Sequence, residues 1–231
     1  MSRSGRVESV LIPLMDLKKK YDIEVTGIIH AGAHLGEEAP AYRQLGVKKV
    51  VWIEADPKTY KQLRYMLREF PSHQTVNAVV SDRAGQEVKF NVANNGESSS
   101  ILELGTHKTE HPEVRYVDEF QATTTTLDQI AEDTDAWDCN MLNLDLQGAE
   151  LLALRGAEDL LGEHIEYVYS EVNAKLLYKG CPRIRELDRF LVNYDLVRVE
   201  TEMTVHGWGD AFYIKSDKVP KRAKGHGVNL R

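Results

Sequence analysis

Apolar residues fall into short β-branched runs that alternate with stretches of helical spacing. The runs at 25–31, 49–54, 75–80, 87–92, 139–144 and 165–171 predict strands, with shorter strands at 123–126, 196–200 and 211–214. Helical spacing predicts helices over 10–21, 37–45, 56–70, 127–132, 149–161 and 182–192. Asp56-Pro57 supplies the start signal of the third, Asp as N-cap and Pro at the first helical position. The segment 94–100 is polar and predicts a loop. Such alternation predicts an α/β fold with a doubly wound, mostly parallel sheet covered on both faces. The two consecutive late strands can pair antiparallel. Ligands of such sheets bind beyond the carboxyl ends of the strands, so the residues that follow each strand become the candidates. Those are Gly32–Gly36, Glu54, Asp82, Asp145 and Glu171, all glycine loop or acid.

Composition narrows the class. The chain has 231 residues, 42% hydrophobic and 28% charged, which suits one domain with short extensions: a helical extension over 1–22, the main domain over 23–215 and a basic tail over 216–231. No apolar h-region follows the polar start, and no run approaches a membrane span, so neither a leader nor a membrane partner is expected. Cys139 and Cys181 form no CxxC pair or disulfide framework, which makes the cytoplasm the expected compartment. A net charge of −7 argues against a nucleic-acid partner. The one basic run, from Lys215 to Arg231, has the composition of a frayed tail.

The stretch His30-Ala31-Gly32-Ala33-His34-Leu35-Gly36 joins a strand to a helix. Its glycines let backbone approach a ligand, and a helix N-terminus favours an acid group. Glu54 ends the next strand, about twenty residues on, where an acid meets a ribose diol in nucleotide-binding βαβ units. Asp82 is placed either to receive an adenine amino group or to make an Asx-turn. The GxxxG spacing departs from the dinucleotide fingerprint GxGxxG. A nucleoside bearing a carboxylate and no phosphate fits better, and S-adenosylmethionine is one. A nicotinamide-dependent oxidoreductase and a non-catalytic nucleoside-binding protein remain the alternatives on the same sheet.

The segments HAGAHLGEE (30–38), VWIEADP (51–57), NAVVSD (77–82), LNLDLQGAE (142–150), YSEVN (169–173), LYKGCP (177–182) and HGWGDAFY (206–213) together resemble FkbM-type methyltransferases. The resemblance covers residues 23–215, and DLQGAE is its most specific part. It implies a class I methyltransferase fold, a seven-stranded sheet whose last strand is reversed. It further implies O-methylation of a hydroxyl on a sugar, glycan or small metabolite. By resemblance the cofactor contacts are Gly32, Ala33, His34, Gly36, Glu54, Ala55 and Asp82, with Ser98, Ser99 and Asp145 as further contacts. His30 stands where many class I methyltransferases carry an acid for the cofactor's amino group.

Methyl transfer to an alcohol needs an aligned acceptor, exclusion of water and a base for the hydroxyl proton. Asp145 and Glu171, at the ends of adjacent predicted strands, are the leading candidates. Either serves as the base, or together with Asn173 they hold a hard cation such as Mg²⁺. The structural alternatives are an N-cap role for Asp145 and an ion pair of Glu171 with Lys175. Glu150, in a first helical turn, is expected to be structural. His206, in the HGWGD loop, is a third candidate for proton transfer. Trp208 and Tyr178 are candidates to face a sugar ring. The loops 94–120 and 173–182 are expected to contact the acceptor.

Overall fold

The computed structural model describes residues 11–221. Val10 and the tail beyond Lys221, both within features expected from sequence, lie outside the described residues. In chain order the elements are α1 (Leu14–Tyr21), β1 (Gly27–Ala31), α2 (Ala39–Leu45), β2 (Lys49–Glu54), α3 (Pro57–Met66), β3 (His73–Asn77), β4 (Val79–Val80), β5 (Glu87–Ala93), α4 (His107–Glu110), β6 (Tyr116–Thr125), α5 (Leu127–Thr134), β7 (Met141–Leu144), α6 (Glu150–Arg155), α7 (Glu158–Glu163), β8 (Tyr167–Asn173), α8 (Ile184–Leu191), β9 (Leu196–Met203) and β10 (Trp208–Lys215).

Seven strands form one sheet in the order β3-β2-β1-β7-β8-β10-β9. The first five run parallel, and β10 lies antiparallel to both β8 and β9. Strand order reverses between β1 and β7, which places the ligand crevice over the ends of those strands. The β-branched runs make central strands because they are covered on both faces. Along β2, Val51 and Ile53 join the cluster under α5–α8, whereas Val50 and Trp52 join the cluster under α1–α3. Asp56 caps α3 as its sequence suggests, accepting from the Thr59 amide at 3.1 Å.

Two expected elements divide. The run 75–80 is not one strand. Asn77 ends β3 in the main sheet, the Ala78 amide turns back to the Glu54 carbonyl, and Val79–Val80 pair with β6 in a second, three-stranded sheet of order β4-β6-β5. The expected helix 149–161 breaks at Gly156, where a Cβ would come 2.3 Å from the Ser81 carbonyl oxygen. The close passage of the Ser81 backbone therefore excludes a side chain there.

A polar group lies inside the apolar layer under α2. The Tyr42 hydroxyl accepts from Asn143 Nδ2 at 2.6 Å and lies 3.1 Å from His30 Nδ1. Burial holds His30 down to about 3, so the ring is neutral. Removing the hydroxyl in Tyr42→Phe strands two buried partners, at about 1–3 kcal/mol. Thermal melts are expected to drop by roughly 2–4 °C for each kcal/mol. An unchanged melt would show that the pair finds other partners.

Candidate active site

A cavity of about 460 Å³ opens beyond the carboxyl ends of β1, β2 and β7. Its floor comes from the glycine loop, Glu54 and the DLQ turn. Its outer wall comes from the second sheet and the segment 95–114.

The glycine loop is built by close approach. Gly32 has φ +86°, and a Cβ on it would stand 1.7 Å from the Asp145 carbonyl oxygen. The Gly32 and Ala33 amides both donate to the Ile53 carbonyl at 3.0 Å, which ties the loop to β2. Gly32, Ala33 and His34 line the cavity. Gly36 does not; its φ of +78° and the side chains of Leu63 and Leu67 at 3.1 Å make it a packing position against α3. His34 Nδ1 lies 2.8 Å from Glu37 Oε1, which raises the imidazole above its ordinary value.

Glu54 lines the cavity beside Ala55. Its Oε2 accepts from the His34 amide at 3.0 Å and its Oε1 from the Asp56 amide at 2.8 Å. These bonds fix the carboxylate between two loops. Burial outweighs them and pushes the group up to about 7. Asp82 is not among the lining residues; its Oδ1 accepts from Ser81 Oγ at 3.2 Å, while Ala78, Val79 and Val80 take the wall position expected for it. The reason is the break at Ala78, which carries Asp82 past β4 and away from the main sheet. Ser98 and Ser99 do line the cavity. They also brace their own turn, with Ser99 Oγ accepting from the Ala93 amide and donating to the Gly96 carbonyl.

Asp145 and Glu171 come together through Gln147. The Gln147 amide nitrogen donates to Asp145 Oδ1 at 2.6 Å and Glu171 Oε2 at 2.7 Å, and Gln147 Oε1 accepts from the Tyr178 hydroxyl at 2.6 Å. Gln147 stands at φ +51°, so the turn itself is shaped to present it. Neither structural alternative occurs. Helix α6 has Ala149 as N-cap without a side-chain bond, and Lys175 pairs with Glu110 at 2.5 Å rather than with Glu171. Glu171 lies inside β8, opposite Asp210 of β10, and is 8% exposed. Asp145 instead projects into the open cavity. Burial raises Glu171, and the charges of Asp145, Glu150 and Asp210 add to it. Two such neighbours share a proton, and the more enclosed Glu171 holds it. Glu150 has the structural role expected of it, accepting from the Leu146 and Gly148 amides.

The geometry does not suit a cation at Asp145, Glu171 and Asn173. Gln147 fills the space between the carboxylates with a hydrogen-bond donor, and among the described residues no group of three or more His, Cys, Asp or Glu is arranged to hold a metal ion. Asn173 is 1% exposed, with Oδ1 unpartnered. His206 stands one layer behind the cavity. Its ring lies tilted 4.6 Å from that of His111, which lines the cavity, and its Nδ1 is 3.5 Å from Glu110 Oε2. Trp208 and Tyr178 both line the cavity.

Gln147, His107, His111 and Phe90 were not singled out from sequence. Gln147 had a signal in the DLQGAE segment. His107 and His111 sit on the wall segment, where no periodicity marks them, and Phe90 lies in the expected strand 87–92, whose pattern does not say that it reaches the cavity.

Sheet order, reversed last strand, glycine loop and the acid ending β2 define a class I S-adenosylmethionine-dependent methyltransferase. Residues 30–197 match the Methyltransferase FkbM domain, and the chain belongs to that family. It is similar to the 2-O-methyltransferase NoeI of Sinorhizobium fredii (strain NBRC 101917 / NGR234), with 25% identity over 178 residues, 74% of this chain and 72% of that protein. It is also similar in fold to the crystal structure of Methyltransferase FkbM from Methylobacillus flagellatus KT, with a TM-score of 0.56 and 15% identity. That match covers 82% of this chain but only 43% of the Methylobacillus chain. Among the described residues no helix is long and apolar enough to cross a membrane.

Proposed function

We propose that the chain methylates a hydroxyl of a sugar, glycan or small metabolite, with Asp145 as the base. The observation that carries this is the Gln147 bridge, which aims two coupled carboxyls into the same cavity that Glu54 and the glycine loop enter. S-adenosylmethionine, when bound, supplies an electrophilic methyl group. Glu54 would hold its ribose diol, the backbone at Gly32–His34 its amino-acid end, and Ala78–Val80 with Phe90 its adenine. The cradle suits a nucleoside because the Glu54 carboxyl and the apolar side chains of Val79, Val80 and Phe90 line it together. Asp145 takes the hydroxyl proton as the oxygen–carbon bond forms and the carbon–sulfur bond breaks. Glu171 keeps the shared proton behind it, and Gln147 fixes the angle of both. His107, His111, Trp208 and Tyr178 form the acceptor end, and a 2-O-methyltransferase among the relatives supports a hydroxyl acceptor there.

The test is transfer of a labelled methyl group to a panel of sugars and glycans. Asp145→Asn is expected to lower kcat by about 10²–10³-fold, the range for loss of a general base. The affinity for S-adenosylhomocysteine should change far less. Loss of that affinity with kcat intact would make Asp145 a cofactor residue instead. Binding of NAD in place of S-adenosylhomocysteine would sink the proposal.

A further inference from the structure

Seven residues lining the cavity carry carboxyl groups, and none is lysine or arginine. The two lysines of the adjoining acceptor segment are engaged outside it, Lys175 with Glu110 and Lys179 with Glu103, each at 2.5 Å. The hydrogen-bonding supply leans the same way. The donors of Gln147 and Tyr178 are consumed by neighbours inside the protein. His107 is 6% exposed, lines the cavity and has Nδ1 without a partner. Burial and the adjacent His111 lower its proton affinity, and one ring nitrogen is left without a protein partner.

We infer that the transfer end of this cavity selects for ligands that bring hydrogen-bond donors or positive charge, so the acceptor is an uncharged polyol or an amino-bearing hydroxyl compound and not a phosphorylated, nucleotide-linked or acidic one. This rests on the proposed methyltransferase site and narrows its substrate class. A hydroxyl or an ammonium completes His107 and the carboxylates. A phosphate ester brings negative charge to a lining with seven carboxyl groups and no lysine or arginine, and like charges placed together are costly. The same wall favours a sulfonium over the neutral thioether left after transfer, which helps the product leave.

Nucleosides that differ only at the 5′ position test the charge at that point without a known acceptor. Adenosine, AMP and 5′-amino-5′-deoxyadenosine compete at pH 7.5 against S-adenosylhomocysteine bound to the full chain. The amine is expected to bind at least about tenfold more tightly than AMP, with adenosine between, as juxtaposed like charges require. A smaller ratio, or the reverse order, overturns the inference, and so does failure of all three to compete while S-adenosylhomocysteine binds. If S-adenosylhomocysteine itself does not bind, the proposed function fails instead. The ratio should shrink in Asp145→Asn, whereas Glu171→Gln, which replaces a carboxyl that already holds the proton, should leave it near the parent's; an unchanged ratio in Asp145→Asn overturns the assignment to that carboxylate. Methyl label appearing in glucose 6-phosphate would overturn the substrate class directly.

Discussion

Gly32→Ala protein is expected to lose S-adenosylhomocysteine binding by at least about a hundredfold and to unfold about 3 kcal/mol sooner than the parent. Two costs combine. A non-glycine residue at φ +86° is strained by about 1–3 kcal/mol. The new Cβ would also stand 1.7 Å from the Asp145 carbonyl oxygen, so β1 and β7 must separate at the cavity floor. Gly46→Ala separates the costs, because Gly46 has the same φ of +86° with nothing within 4 Å of the added carbon. That variant should bind normally and lose only the strain. Paired calorimetry and denaturant melts of the two variants decide it. Equal losses would mean that backbone strain, not the crossing of the strands, is what Gly32 avoids.

Glu54→Gln is expected to weaken S-adenosylhomocysteine binding about a hundredfold at pH 8. Two hydrogen bonds to a charged group are lost, each worth about 1.5–3 kcal/mol before the neutral amide recovers part. The effect should depend on pH. Burial raises Glu54 from 4.5 to about 7, so the ligand-free protein carries it protonated below that value. A carboxylate accepts from both ribose hydroxyls, whereas the acid form accepts less well. Parent affinity should therefore rise between pH 6 and 8, and the Gln variant should lack the Glu54 part of that rise. His34 and Asp56 face Glu54, and the His34 imidazole is itself raised by its bond to Glu37, which is why the variant is the necessary control. For stability the sign is opposite. A carboxyl raised in the folded state favours folding most below its unfolded value of 4.5, and that contribution is lost as pH rises through about 7. At pH 8 the ligand-free Gln variant should then melt higher than the parent while binding less. A parent affinity flat from pH 6 to 8 would remove Glu54 as the ribose contact.

The parts legible in sequence were those where local chemistry and fold agree. Strands β1 and β2 are β-branched and end in glycine or acid, and Asp56-Pro57 starts α3 where its chemistry places it. The break at Ala78 was not legible. Residues 75–80 are one continuous apolar run, and what divides them is a change of hydrogen-bonding partner, Glu54 on one side and Thr124–Thr125 on the other. Asp82 was placed beyond the third strand for the same reason. Strand β6 extends back to Tyr116, farther than expected, because its outer half is largely exposed and carries no apolar alternation. The acids of the site were legible from their positions after strands. Their coupling was not, since it runs through Gln147, whose side chain reaches across two loops.

The exchange of partners at Ala78 also divides the cavity. Glu54 and the glycine loop stand in a sheet bonded strand to strand across seven strands. The outer wall of the same cavity hangs from a small separate sheet and the segment it supports, joined to the main one where a single amide turns. Floor and wall are therefore two pieces of masonry with one mortar joint, and a change of length in the annex can reshape the wall without breaking a bond of the main sheet.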